Sequence, residues 1–223
     1  MTDRRRCAHE RWRICVNTPM QFSRAEVGDR VIYRSRRYLK ANRWDRRNLR
    51  IVHDAVAPVP GEVVLEIGCG RGHLTQALRT EGMDVTGVDV NPHVVGEGVT
   101  DGLYAMPAHA LRLPDDAYDL VISFHMVEHV QNVDAVLAEM ARVTRPGGRL
   151  LLVYPAEPVR GTFSVPASVA MFGHPFKARQ IHRHTIRPRT LHPKLKAAGF
   201  IRPDSLFRLR TTPQFQTVAF RPS

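Results

Sequence analysis

Short apolar runs alternate with amphipathic stretches through the middle of this chain. The run Val63–Ile67 is closed by Gly68, which is the pattern of a buried strand. Apolar positions at 133–143 recur at helical spacing, and Pro146-Gly147-Gly148 then predicts a turn. The same pattern predicts strands at 84–89, 103–109, 118–124 and 149–154, and helices at 73–80 and from residue 92. Because strands alternate with helices, we predict an α/β fold whose parallel sheet carries helices on both faces.

The pattern changes on both sides of this region. Apolar residues recur at roughly helical spacing from 26 to 57, which predicts one or two amphipathic helices that end at Pro58. Residues 155–186 are irregular and rich in proline, and such a segment inside a compact domain is often a lid or substrate loop. We therefore predict a basic helical extension or lid at 1–57 and a domain at 58–223 that contains the irregular segment. A helix at 187–198 and a hairpin of strands at 201–209 and 215–220 close the domain.

Charge divides the chain into the same three parts. The formal net charge of +12 is the sum of +9 over residues 1–57, −8 over residues 58–157 and +11 over residues 158–223. Basic surfaces attract nucleic acid, anionic lipid or acidic small molecules. Only four of the 33 basic residues are lysine, so an arginine-rich solvated surface without a partner is the other explanation.

Length and cysteine content narrow the class of protein. A chain of 223 residues suits one domain with an attached element, and no stretch approaches the roughly 18 apolar residues that span a bilayer. The basic start has no apolar run behind it, so we expect no secretory signal. The three cysteines are too few for a disulfide scaffold and fit a reducing compartment. We expect a cytoplasmic protein.

A glycine-rich turn follows the first predicted strand. Gly68, Gly70 and Gly72 stand at alternate positions before the predicted helix, where a ligand can approach bare backbone and the free N–H groups of the helix start. Asp89 ends the second predicted strand, and a carboxylate there can accept hydrogen bonds from both hydroxyls of a ribose. This arrangement indicates a nucleoside-binding site.

Two families of nucleoside-binding proteins use such a turn. Dinucleotide dehydrogenases have G-x-G-x-x-G, whereas the spacing here is G-x-G-x-G, and the nearby Glu66 would repel a pyrophosphate. The segment instead resembles motif I of the class I S-adenosylmethionine-dependent methyltransferases. That resemblance implies S-adenosylmethionine as cofactor, with Glu66 near its amino-acid end, the three glycines as its floor and Asp89 on its ribose.

The resemblance extends to about residue 155. The stretches 113–121 and 137–153 resemble segments of the ubiquinone- and menaquinone-type branch of the family. The family fold is a Rossmann-like, mostly parallel seven-stranded sheet with one antiparallel strand in its closing pair. The family usually places Asp or Asn against the adenine where this chain has His109, whose neutral imidazole can also accept a hydrogen bond. Phe124 ends the strand that faces the cofactor methyl group in the family, so we assign it to the cofactor site.

His125, Glu128 and His129 directly follow that strand, and three hypotheses remain open for them. His129 can act as general base, because an oxygen nucleophile loses its proton as it attacks the methyl group. The segment also resembles the E-x-x-E-H of metal-assisted O-methyltransferases, with His125 in place of the first Glu and a histidine at 174, 182 or 184 completing the site. The third hypothesis is a purely structural role. We assign His129 and Glu128 as catalytic and no residue to a metal.

The resemblance predicts an enzyme that methylates a small molecule at oxygen, carbon or nitrogen. The basic group His182-Arg183-His184 suits an anionic substrate, although a solvated loop explains it equally well. One alternative is an RNA-modifying methyltransferase that uses the basic flanks, although no RNA-binding module is recognisable in them. Another is a non-catalytic, nucleoside-binding partner subunit.

Overall fold

The computed structural model describes residues 46–156, 169, 173–175, 183–209 and 213–223. The strands are β1 Val63–Ile67, β2 Asp84–Asp89, β3 Leu103–Ala105, β4 Tyr118–Phe124, β5 Thr144–Pro155, β6 Ile201–Arg208 and β7 Gln214–Phe220. The helices are α1 Arg46–Val56, α2 His73–Thr80, α3 Pro92–Gly96, α4 Val133–Val143 and α5 Pro188–Ala197. Among these residues no helix is long and apolar enough to cross a membrane.

The strands form one sheet in the order β3-β2-β1-β4-β5-β7-β6. Strands β1 to β5 pair in parallel, and β7 runs antiparallel to both of its neighbours, β5 and β6. The predicted α/β fold, its seven strands and its closing hairpin are therefore confirmed. The strand order reverses between β1 and β4, because the chain first builds outward through β2 and β3 and then returns. Open α/β sheets bind ligands in the crevice at such a point, outside the carboxyl ends of the strands.

Two apolar layers cover the two faces of the sheet. On one face α4 packs on β5 and α5 packs on β6 and β7, with Leu137, Met140 and Leu195 fully buried. On the other face α1 packs on β5 and β7 and α2 packs on β2, with Val52 and Leu78 fully buried. Helix α1 lies within the amphipathic stretch predicted at 26–57. Ile51, Val52 and Val56 of this helix are buried in the second layer.

Two predicted boundaries were wrong. The third strand was predicted to reach His109 but ends at Ala105, because Pro107 has no N–H to continue the ladder. The turn predicted at Pro146-Gly147-Gly148 is instead a bulge within β5, where the register against β4 shifts between Tyr118 and Leu120. Gly147 has a φ of 73°, and its N–H donates to the Arg221 carbonyl. This backbone N–H of the bulge therefore has a hydrogen-bond partner in the segment that follows β7.

Two predicted elements lie largely outside the described residues. These are the N-terminal extension before residue 46 and most of the irregular segment at 155–186. The segment is described again from Arg183, where it leads into α5. The closing elements match their predicted positions to within one residue at each end.

Candidate active site

The residues predicted to bind a cofactor lie at the carboxyl ends of β1, β2 and β4. Gly68 follows β1, Asp89 ends β2, and Phe124 ends β4. These strands are parallel neighbours in the order β2-β1-β4, so their carboxyl ends meet at one edge. The structure thus brings the glycine loop, which we define as residues 68–72, next to the β4 turn, which we define as residues 125–130.

Backbone hydrogen bonds hold the glycine loop in a tight turn between β1 and α2. The N–H groups of Gly68 and Cys69 both donate to the Val88 carbonyl, and the Gly72 N–H donates to the Cys69 carbonyl. Gly68, Gly70 and Gly72 all have φ between 54° and 82°, a region that favours glycine. Gly72 is the N-cap of α2, so the loop leads directly into the helix start.

Only one of the three glycines faces open space. A Cβ on Gly68 would lie 2.9 Å from the Cβ of Met126, and one on Gly72 would lie 2.7 Å from the Leu103 side chain. A Cβ on Gly70 would meet nothing closer than a Val94 methyl at 4.0 Å. Gly68 and Gly72 are therefore required for packing as well as conformation, whereas Gly70 leaves room for a ligand to reach the backbone.

Asp89 is held against the glycine loop by its carboxylate. Its Oδ2 accepts the Gly70 N–H at 2.9 Å, and its Oδ1 accepts the Asn91 N–H at 2.9 Å. Burial raises the pKa of Asp89 above its ordinary value, although these N–H donors oppose the rise. A carboxylate has about four lone-pair positions, so Asp89 retains acceptor capacity for ligand hydroxyls.

Glu66 is the buried acid beneath the loop. Only 5% of its surface is exposed, and the Thr75 hydroxyl of α2 donates to its Oε2 at 2.5 Å. Burial raises the pKa of Glu66 to about 7, with Thr75 opposing the rise and the nearby Asp89 adding to it. A cation bound beside the loop would lower this pKa and stabilise the carboxylate.

The other two predicted cofactor residues differ in exposure. Phe124 is half-buried at the end of β4, where it packs against the α1–α2 side of the core. His109 is exposed in the turn that follows β3, where the Ala110 N–H donates to the Pro107 carbonyl. Phe124 thus lies at the shared edge, whereas His109 stands on the surface of an adjacent loop.

The β4 turn places a buried carboxylate between two imidazoles. Glu128 is 1% exposed, and neither of its carboxylate oxygens has a hydrogen-bond partner among the described residues. Its Oε1 lies 3.6 Å from His125 Nδ1 and 3.8 Å from His129 Nε2. Burial opposes ionisation of Glu128, but the two imidazoles outweigh it, so its pKa lies below the ordinary value. An ionised carboxylate can orient both rings.

The end of the irregular segment is seated on this turn. The N–H groups of Arg183 and His184 donate to the Glu128 carbonyl at 2.9 and 3.1 Å. His184 Nε2 also lies 2.9 Å from the Val130 carbonyl, which its ring N–H can satisfy. The described part of the predicted basic group therefore contacts the β4 turn, whereas His182 lies outside the described residues.

Sequence reasoning did not find Gln214 at this edge. Gln214 begins β7 and is buried, and its Oε1 lies 3.3 Å from His125 Nε2. No local pattern marks it, because β7 reaches β5 only through an antiparallel pairing late in the chain. Over residues 46–156 and the later described ranges, no group of three or more His, Cys, Asp or Glu residues is arranged to hold a metal ion.

Comparison with known proteins identifies the family of this domain. A family described as methyltransferase domain matches residues 34–201. The chain is 31% identical over 156 residues to a ubiquinone biosynthesis O-methyltransferase of Sinorhizobium fredii, covering 64% of this chain and 61% of that protein. It is 34% identical over 122 residues to a demethylmenaquinone methyltransferase of Renibacterium salmoninarum, covering 53% and 52% of the two chains.

A solved structure shares the fold. Phosphoethanolamine N-methyltransferase 2 of Haemonchus contortus, in complex with S-adenosyl-L-methionine, superposes with a TM-score of 0.67 at 15% identity. The alignment covers 91% of this chain and 61% of that one. The chain spans about three fifths of the length of the first curated relatives it matches.

Proposed function

This chain belongs to the class I S-adenosylmethionine-dependent methyltransferases, and we propose that it transfers a methyl group from S-adenosylmethionine to a small molecule of the quinone-precursor type. The observation that carries the proposal is the open backbone at Gly70, fixed by Asp89 at the point where the strand order reverses. Relatives that act in ubiquinone biosynthesis and on demethylmenaquinone support the substrate class. We also propose a cytoplasmic location.

The residues of this edge fit the cofactor. Asp89 retains acceptor capacity for ribose hydroxyls, Gly70 leaves space for the ligand, and Glu66 is an acid that an ammonium group would stabilise. We also assign His109 and Phe124 to this site. When bound, S-adenosylmethionine supplies a methyl group activated by a positively charged sulfur.

The β4 turn supplies the groups for the acceptor. We propose that His129, whose side chain is 29% exposed, accepts the proton of the attacking hydroxyl. Glu128 is too buried to meet a substrate, so its proposed contribution is to stabilise the imidazolium that forms 3.8 Å away. The remaining contribution is to hold the acceptor in line with the methyl group and to exclude water.

The alternatives explain fewer observations. A dehydrogenase would place a pyrophosphate beside the buried acid Glu66. An RNA-modifying enzyme would draw on the basic flanks, in which no RNA-binding module is recognisable. A non-catalytic partner subunit has no need of an unsatisfied carboxylate between two half-exposed histidines.

The proposal is tested by calorimetry and a transfer assay. We expect S-adenosylhomocysteine to bind and NADH not to bind. Purified protein with S-adenosylmethionine should methylate 3,4-dihydroxybenzoate or methylhydroquinone, probes that carry ring hydroxyls. Tight NADH binding without S-adenosylhomocysteine binding would exclude the family chemistry. A sequence-selective RNA complex that persists at physiological salt would favour the RNA alternative instead, because non-specific binding falls steeply with salt.

A further inference from the structure

His125 has a backbone conformation that its side chain does not favour. Its φ is 49°, in the left-handed region that residues with a Cβ rarely adopt. The residue directly follows β4 at the carboxyl edge, where its N–H still donates to the Val153 carbonyl of β5 at 2.8 Å. A residue held in such a conformation costs stability and persists where the surrounding structure enforces it, frequently at functional sites.

Two polar side chains lie close to the ring of His125, one near each nitrogen. Nδ1 faces the buried Glu128 carboxylate at 3.6 Å, and Nε2 faces the Gln214 carboxamide at 3.3 Å. Both separations are long for hydrogen bonds, so neither neighbour satisfies the ring fully. The side chain is 37% exposed, so a ligand can reach the ring.

The three residues come from distant parts of the chain. His125 and Glu128 belong to the β4 turn, whereas Gln214 begins β7 and sits opposite Pro155 at the end of β5. Their convergence depends on the antiparallel placement of β7, which brings its first residue to the same edge as the ends of β4 and β5. The carboxamide oxygen of the buried Gln214 lies near the imidazole of His125. A polar group of a ligand at this position could therefore hydrogen-bond to the same imidazole.

We propose that His125 is a further catalytic residue that hydrogen-bonds the methyl acceptor through Nε2, where the Gln214 carboxamide now reaches it. Glu128 and Gln214 are positioning residues that orient the ring from its two sides. This inference rests on the proposed function, because it needs an acceptor at this edge. The two histidines of the β4 turn then have different roles. His129 accepts the proton, and His125 binds and aligns the acceptor.

The test uses His125→Gly, because glycine accepts a φ of 49° without strain. We expect kcat/KM for 3,4-dihydroxybenzoate to fall about 10- to 100-fold, the usual cost of a lost strong hydrogen bond, mostly through KM. S-adenosylhomocysteine affinity should stay within about twofold of the wild type, because the cofactor residues are untouched. Thermal unfolding should show that the variant stays folded at the assay temperature, because relief of the positive φ offsets part of the cost of removing the imidazole beside Glu128. His125→Asn, which tolerates the left-handed region and keeps a polar group, should recover part of the activity.

Arg202→Gly is the matched control. Arg202 also has a φ of 49° but is exposed on the edge strand β6, away from the site. Relief of its strain should raise the melting midpoint by roughly 2–4 °C, with kcat/KM unchanged. Gln214→Met, which keeps the length of the side chain but removes the carboxamide, should raise KM for the acceptor without changing S-adenosylhomocysteine affinity.

Two failures are distinguishable. Wild-type kcat/KM in a folded His125→Gly protein would overturn this inference and leave the proposed function standing. A wild-type protein that binds S-adenosylhomocysteine but methylates neither 3,4-dihydroxybenzoate nor methylhydroquinone would contradict the proposed acceptor class, and this inference with it. Loss of S-adenosylhomocysteine binding in His125→Gly would also overturn it, because His125 would then serve the cofactor.

Discussion

The glycine loop and the β4 turn lie side by side, yet they differ in whether their acidic side chains have hydrogen-bond partners. Around the glycine loop the acids are satisfied: Asp89 accepts two backbone N–H groups and Glu66 accepts the Thr75 hydroxyl. In the β4 turn the Glu128 carboxylate has no hydrogen-bond partner within the part of the chain that the structure describes, and His125 is held at a positive φ. A glycine-rich surface whose acids already have hydrogen-bond partners suits a ligand that binds in one orientation. A carboxylate such as that of Glu128, beside the strained His125, suits groups that must respond to a reacting substrate.

Removal of the His129 side chain should give the largest difference between the roles of the two regions. We expect His129→Ala to lower turnover about 10²- to 10⁴-fold, the usual contribution of a general base, with S-adenosylhomocysteine affinity almost unchanged. Steady-state kinetics and calorimetry on the same preparation measure both quantities. His53→Ala is the control, since His53 pairs with Glu81 on the α1–α2 surface away from the edge. Normal turnover in a stable His129→Ala protein would remove His129 from the catalytic residues.

Asp89→Ala should have the converse effect. Loss of a hydrogen bond between ribose and a carboxylate should weaken S-adenosylhomocysteine binding by about 1–3 kcal/mol, because such bonds to charged groups contribute roughly that much. Calorimetry measures this, with Asp84→Ala at the opposite end of β2 as the control. If a folded Asp89→Ala protein binds as tightly as the wild type, Asp89 does not hold the ribose.

Substitutions of Gly68 and Gly70 test the contact between the glycine loop and the β4 turn. Gly68 packs against Met126 of the β4 turn, so Gly68→Ala should lower both the melting midpoint and turnover by displacing that turn. Gly70→Ala has space for its Cβ and should mainly weaken cofactor binding, with a strain cost of about 1–2 kcal/mol. Thermal unfolding and calorimetry on both variants compare them. Equal losses of stability would show that Gly70 is not the open position of the loop.

The smallest expected effect is a pH dependence from Glu66, whose pKa is raised from 4.5 to about 7. An ammonium group prefers the carboxylate, so S-adenosylhomocysteine affinity should rise with pH through about 7, by at most about tenfold per unit. The contribution of Glu66 to folding stability has the opposite sign: it is fully present below about pH 4.5 and is lost as pH rises through about 7. Calorimetry at pH 6 and 8 should detect the change in affinity, and Glu66→Gln should abolish it. An unchanged pH dependence in Glu66→Gln would separate Glu66 from the ammonium group.

The alternation of strands and helices, the glycine loop and Asp89 were all predictable from sequence. Each depends on residues close together in the chain: a buried strand is an apolar run, and a turn at positive φ needs glycine where a Cβ would collide. The sequence also placed His125, Glu128 and His129 after β4. It could not separate the glycine that faces open space from those that pack, because Met126 and Leu103 approach only in the folded sheet.

The tertiary structure alone decided which groups at the edge are satisfied and which are not. The burial of Glu128, the positive φ of His125 and the approach of Gln214 depend on the packing of α4 and α5 and on the antiparallel insertion of β7 between β5 and β6. The pKa of Glu66 likewise rises because the folded protein buries it, which no neighbouring residue in the sequence reveals. Local pattern determines conformation, whereas desolvation and long-range contact determine the chemistry of the side chains.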